Sequence, residues 1–516
     1  MRRLPIVSLL AAALVACAGP RSSQPRQEAP QQAATPAATP PPAAAARSAE
    51  PEPAPDVNRH VPERGPPPDL NVPPQHHFKL SNGLAVRFVE YHRLPIVALH
   101  LVVDAGAVHD PSGKPGVASF TAAMMTEGTK RRSATDISDA LGALGASLAA
   151  GASMDAASLS ASGLSRHLDP LLEIFADVLL SPTFPQKDFV RVQDTRLVTL
   201  VQQRDQPGAV ASKAFTNVYW GAHPYGHWLI GTEQSVKATR REDLARYHAT
   251  WWKPGRAELV VVGDVSQPDL RAKLEKALAR WKGAPPAVKP FPPPPPPALR
   301  TVLIEKPNAP QAYLVLGMPG MKRSSPEYVP TQIALHTLGG GSASRLFRNL
   351  REEKGLTYGV YAMGDARKLA GVTVVAGSVK ADQTGVAMKE LLAEIEEMRE
   401  HPVTVEELET SKNALALSLP ADFSTAAGIA AKLADEVVHG LPDDYWERYR
   451  DQVMAATPEA VQAAARQALD PEHLTVVMVA DSALVKPQLA GLPLGDVQVR
   501  PSPTRESQDA KPSAAR

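Results

Sequence analysis

Two strand-like segments of similar composition lie about 215 residues apart in a chain of 516 residues. They are Glu258-Leu-Val-Val-Val-Gly and His473-Leu-Thr-Val-Val-Met-Val. Each follows a helical stretch and a tight turn. The first helix begins at Thr239, carries Leu244 and Tyr247, and ends in the turn Pro254-Gly255. The second begins at Thr457 and ends in the turn Asp470-Pro471. A long-range repeat of this kind predicts duplication of one large unit. Six consecutive prolines, Pro292 to Pro297, fall where a linker between the copies belongs. The prediction is two homologous domains, 76–283 and 299–482, joined by a Pro-rich linker, 284–298.

Each copy mixes strands with helices, so the expected fold class is α+β. In the first copy, Leu84 to Val89 and Pro95 to Val103 read as strands. The second of these is nearly continuous in apolar residues, as expected of a strand covered on both faces. Helical patterns cover Val117 to Thr126, Ala134 to Gly145, His167 to Leu180, Gln186 to Gln203, Ala209 to Tyr219 and Pro268 to Trp281.

The ends of the chain read differently. Sixteen of its 51 prolines lie between Gly19 and Gln75. Proline lacks an N–H and restricts the residue before it, so 18–75 is expected to be an extended, disordered tether. Ahead of it, Arg2 and Arg3 precede a short apolar run ending at Cys17, the pattern of a secretory signal peptide over 1–17. Leu14-Val15-Ala16-Cys17 resembles the lipobox of bacterial lipoproteins, which implies cleavage before Cys17 and lipid attachment at its sulfur. The expected location is the cell envelope, lipid-anchored and facing the periplasm. Ala18 lacks the aspartate associated with inner-membrane retention, which points to the outer membrane. Cys17 is the only cysteine, which excludes a disulfide within the chain and a thiolate zinc site. With 55 basic and 54 acidic residues the net charge is +1, and no basic face for nucleic acid is indicated. The polar segment 483–516 is expected to be a disordered tail.

The duplicated body resembles the M16 peptidases, the pitrilysin/insulinase and mitochondrial processing peptidase family, from Phe78 to Ser482. In the first copy the resemblance rests on Leu80-Ser-Asn-Gly-Leu, Gly106, Gly116-Val-Ala-Ser-Phe and His223-Pro-Tyr-Gly-His through Gly231-Thr. In the second it rests on Leu338-Gly-Gly-Gly-Ser-Ala-Ser-Arg-Leu-Phe and Leu350-Arg-Glu-Glu-Lys-Gly-Leu-Thr-Tyr-Gly-Val. It implies in each domain a mainly antiparallel sheet packed with helices. The two domains together would form one half of a clamshell around a closed chamber.

Catalytic members carry an inverted zinc motif, H-x-x-E-H, on the first helix after the glycine, and a glutamate ligand on a later helix. The histidines bind the ion and the glutamate between them activates water. The aligned residues here are Ser119, Ala122 and Ala123, and counting back from Asp205-Gln-Pro places the later ligand position at Thr199. No metal ligand set is therefore expected in this chain. Other histidines offer no substitute. Pro224 and Gly226 separate His223 from His227, so the pair cannot share a helical face. His76-His77 reads as a solvated turn and His100 as a core histidine, while His109, His167 and His336 have no partner at ligand spacing. The run Gly339 to Gly341 is not followed by Lys-Ser/Thr, which excludes a P-loop; it reads as a flexible or close-packed connection.

What the resemblance carries over is an arginine and a tyrosine seven residues apart, Arg351 and Tyr358. A helix from near Ser344 would end at Arg351, Gly355 would turn the chain, and Tyr358 would begin a strand. Their guanidinium and phenol donors, brought to one side, would orient a peptide carbonyl and stabilise a developing oxyanion. The implied partners are a zinc-bearing M16 subunit with an intact H-x-x-E-H motif, and a peptide or unfolded polypeptide substrate. The chain would then be inactive alone, with no cofactor of its own and zinc in the partner. The competing expectation is a catalytically inactive structural or peptide-binding lipoprotein of the same fold.

Overall fold

Among the described residues the chain forms twelve strands in two six-stranded sheets. The fold is given by a computed structural model that describes residues 69–502, apart from 289, 290, 292, 293 and 295–297. Cys17, the expected signal peptide, nearly all of the expected tether and residues 503–516 lie outside the described residues.

The first sheet contains β1 (His76–Lys79), β2 (Ala85–Glu90), β3 (Ile96–Val103), β4 (Ser147–Ala152), β5 (Ala157–Leu164) and β6 (Ala257–Gly263). The second contains β7 (Arg300–Glu305), β8 (Gln311–Gly320), β9 (Thr357–Ala366), β10 (Gly371–Lys380), β11 (Thr475–Ala480) and β12 (Val497–Arg500). Their spatial orders are β1-β2-β6-β3-β5-β4 and β12-β7-β11-β8-β10-β9. The last five strands of each order correspond one to one, which is the duplication seen directly. In both sheets the pair containing the repeated valine-rich strand is parallel, β2 with β6 and β7 with β11. The neighbouring pairs toward β4 and β9 are antiparallel. The sheets are thus mixed, mainly antiparallel and open. The sixth strand breaks the symmetry: β1 joins antiparallel from the N-terminal side, and β12 joins parallel from the C-terminal side.

The central strands are covered on both faces, and the second cover comes from the other half. The helix Pro207–Trp220 belongs by sequence to the first half, but it packs on β11 and β8 of the second sheet. Its Val210, Ala211, Phe215 and Trp220 share a core with Val302, Ile304, Val315, Val477 and Val479. Reciprocally, the helix Ala426–His439 lies on β3 and β6 of the first sheet. Thr425 caps its start by accepting from the Gly428 N–H at 3.0 Å, and left-handed Gly440 ends it. Its alanine-rich sequence lets the backbone approach the sheet closely. The predicted boundaries 76–283 and 299–482 therefore separate the two sheets but not the two cores.

The ends of the folded body also extend further than expected. Residues 483–500 belong to the fold rather than to a disordered tail, because Val485, Leu489 and Leu494 are buried and β12 completes the second sheet. The Thr301 hydroxyl donates to the Leu494 carbonyl at 2.6 Å. On the other side, Leu70 and Val72 of the predicted tether pack against the second core, and the Gln75 amide donates to the Asp443 carbonyl at 2.8 Å. The strands β4 and β5 were not anticipated. Their sequence, rich in Ala, Ser and Gly, buries alternate residues in β5 without the bulky alternation that marks a strand.

Candidate active site and its altered metal position

The helix Val117–Met125 starts at Gly116, whose φ of 99° a side chain would strain. A Cβ there would sit 2.7 Å from the Ile230 carbonyl oxygen, so the glycine lets the Leu229–Ile230 segment close on the helix start. Asp110 caps this helix: its carboxylate accepts from the Gly116 N–H at 2.6 Å and the Ala118 N–H at 2.7 Å. Burial pushes that carboxyl up to about 7 against the pull of those donors.

The helix carries Ser119, Ala122 and Ala123, the residues that the sequence resemblance aligns with the metal motif. Ala122 is fully buried and Ala123 half-buried, and neither has a donor atom for a metal. The Ser119 hydroxyl donates to the carbonyls of Leu229 and Gly116. Thr199, on the helix Gln186–Arg204, donates back to the Thr195 carbonyl of its own helix at 3.0 Å. Between these elements lies Arg196, one turn before Thr199. Its Nη2 donates to the Ser119 hydroxyl at 2.7 Å, to the Ile230 carbonyl at 3.0 Å and more weakly to the Gly116 carbonyl at 3.4 Å. The guanidinium stands 4.9 Å over the Phe120 ring. Burial pulls its pKa down to about 10, with Asp110 acting in the opposite direction. A site of two alanines, two engaged hydroxyls and a guanidinium does not fit a zinc ion. Among the described residues, no group of three His, Cys, Asp or Glu side chains is placed to hold a metal.

The second candidate lies on the other sheet. A widened, π-type helical turn, Phe347–Glu353, carries Arg351 and Lys354 ends it. Gly355, at φ 58°, reverses the chain, and Tyr358 is the second residue of the edge strand β9. The expected reversal at Gly355 is found, but the helical turn runs two residues past Arg351, to Glu353. Arg351 Nη1 donates to the Tyr358 carbonyl at 3.0 Å, and its guanidinium packs 4.6 Å over Phe347. The Tyr358 side chain is 81% exposed, and its hydroxyl has no hydrogen-bond partner among the described residues. One free phenol and the remaining guanidinium donors therefore face outward at the end of an open sheet edge. That chemistry suits holding a peptide carbonyl.

His223 and His227 are held by contacts to the backbone. His223 Nδ1 accepts from the Tyr225 N–H at 3.1 Å, and His227 Nε2 lies 3.2 Å from the Ala107 carbonyl. The triple glycine is a close-packed connection, since a Cβ at Gly339 would meet the Ala362 nitrogen at 2.3 Å. A cavity of about 210 Å³ lies between the halves, lined by Asp104, Arg256 and Lys368 among others. Asp104 pairs with Arg256 and lies 3.5 Å from Lys368, while Glu258 pairs with Arg87 and Asp155 accepts from the Tyr225 hydroxyl. Sequence reasoning missed Arg196 and Asp110. The signal for Arg196 was its spacing of three from Thr199, which places both on one helical face.

The body is built of two sheet-plus-helix domains of mixed α/β structure, an architecture it shares with M16 peptidase structures. Residues 88–233 match the family described as Insulinase (Peptidase family M16), and residues 239–415 match the Peptidase M16 inactive domain. The structure is similar to a peptidase M16 inactive domain from Pseudomonas fluorescens, with a TM-score of 0.75 and 29% identity over 79% of this chain and 98% of that one. A protease from Helicobacter pylori shares the fold at a TM-score of 0.73 and 20% identity, over 79% of this chain and 99% of that one. The uncharacterized zinc protease YmxG of Bacillus subtilis is 23% identical over 343 residues, 66% of this chain and 83% of that protein. The uncharacterized zinc protease SCO5738 of Streptomyces coelicolor is 25% identical over 367 residues, 69% of this chain and 78% of that protein. The chain belongs to the M16 peptidase family.

Proposed function

We propose that the chain is the non-zinc subunit of a heterodimeric M16-type metalloendopeptidase, working at the cell envelope through a lipid at Cys17. Its role is to present Arg351 and Tyr358 to a peptide whose scissile bond faces the metal of a partner chain. The observation that carries this reading is the pair itself: two donors turned outward at an open sheet edge, in a chain whose own metal position has lost every ligand. The guanidinium and phenol would hold the substrate carbonyl and take up charge as the oxyanion develops.

The test is co-purification with an M16 chain from the same genome that carries H-x-x-E-H, followed by a peptide cleavage assay. The chain alone is expected to cleave nothing, and the complex to give chelator-sensitive cleavage. Hydrolysis by the lone chain, or no complex with any such partner, would sink the reading. In the latter case the remaining reading is an inactive peptide-binding lipoprotein, favoured by the unpaired edges of β4 and β9.

A further inference from the structure

We propose that Arg196 has taken over the metal's place as a fixed cation, so that the site is closed to zinc and not merely short of ligands.

The geometry supports this in three ways. First, Arg196 reaches from the helix bearing Thr199 to the Ser119 hydroxyl of the helix bearing the altered motif, at 2.7 Å. The same nitrogen also reaches the Ile230 and Gly116 carbonyls. It thus bonds together the elements that would have to supply metal ligands. Second, the charge is held in place. The Arg196 Nε is buried with no hydrogen-bond partner, and the guanidinium is stacked over Phe120. The side chain is half-buried, and moving it into water breaks its bonds to Ser119 and Ile230 and its stack on Phe120. Third, the sign is wrong for a metal. A divalent ion placed among these residues would sit within a few ångströms of a permanent positive charge in a poorly solvated site. Asp110 does not serve as a ligand in its place, because both its oxygens are already engaged by the Gly116 and Ala118 N–H groups.

The inference separates two explanations of the same missing motif. If only the ligands were lost, restoring them restores binding. If a cation has replaced the metal, restoring them is not enough.

The experiment restores Ser119→His, Ala122→Glu, Ala123→His and Thr199→Glu together, with Arg196 retained or changed to Met. Zinc alone is the probe, titrated against a chromophoric chelator, with bound metal counted after dialysis. The expected result is stoichiometric zinc in the R196M form, and binding at least ~100-fold weaker when Arg196 is retained. Circular dichroism melts check that both forms fold. A second pair covers failure of the four-site variant: Ser119→His with Ala123→His, two histidines one turn apart, again with Arg196 or Met. The ranking is expected to be the same. Equal zinc affinity with and without Arg196 overturns the proposal. So does a folded R196M form that still takes up no zinc, because something other than Arg196 then closes the site.

Discussion

The ring of Phe215, from the first half of the chain, lies directly on Gly317 of β8 in the second: a Cβ at Gly317 would stand 2.1 Å from the ring's Cζ. The contact ties a helix of one copy to the sheet of the other, and Tyr219 adds a hydrogen bond from its hydroxyl to the Met318 carbonyl at 3.2 Å. Gly317→Ala must push the helix Pro207–Trp220 away from the sheet. The expected loss is about 1–3 kcal/mol of unfolding free energy, read from urea denaturation. An unchanged midpoint would show that the ring does not bear on the strand.

Burial sets one clear pH dependence. His248 is enclosed between Phe184 and Trp252 and donates from Nε2 to the Leu179 carbonyl at 2.9 Å. Desolvation pulls its pKa from 6.5 down to about 4. Between those values the unfolded chain takes a proton that the folded chain refuses. The stability from this group is therefore full above the unfolded value and declines as pH falls toward the folded one. His248→Gln keeps a donor for Leu179 and removes the titration. The wild type is expected to lose about 2 kcal/mol more than this variant between pH 7 and pH 5. Parallel pH profiles for the two proteins would contradict the assignment.

Arg351 and Tyr358 should be separable from stability. Both are exposed, and neither side chain closes a core contact beyond Phe347. Arg351→Ala and Tyr358→Phe are each expected to leave unfolding free energy within about 0.5 kcal/mol of wild type. In the proposed heterodimer each is expected to lower kcat by about 10²–10³, the cost of removing one oxyanion donor. Full activity in both variants would remove the pair from the site.

The C-terminal segment offers a sharp truncation boundary. Ending the chain after Ser502 keeps all of β12. Ending it after Lys486 removes buried Leu489 and Leu494 together with β12. That loss is expected to be about 3–6 kcal/mol, from two buried leucines at about 1.5–3 kcal/mol each. Thermal melts of the two truncated chains make the comparison, and equal melting temperatures would mean that β12 is dispensable.

Much of this was readable along the chain. The helix Val117–Met125 and the strand β3 stand within a residue or two of their expected bounds, because their apolar spacing, caps and turns act between near neighbours. The altered metal position was equally legible, since Ala122 and Ala123 lack metal-ligating atoms in any fold. The strands β4 and β5 were not, because small residues carry no strong period. Arg196 was overlooked because a lone arginine on a polar helix looks like a surface residue until its neighbours are known.

The sequence by itself determined the duplication, the type of the long helices of the first copy, the lack of ligating atoms at Ala122 and Ala123, and the presence of the Arg351–Tyr358 pair. Those are properties of residue identity and short-range spacing. Only the tertiary structure decided that Pro207–Trp220 and Ala426–His439 exchange sheets, that residues 483–500 complete the second sheet, and that Arg196 stands against Ser119. Each of these joins residues tens to hundreds of positions apart. They are settled by which apolar face finds cover and which buried charge finds acceptors, and no local pattern records either.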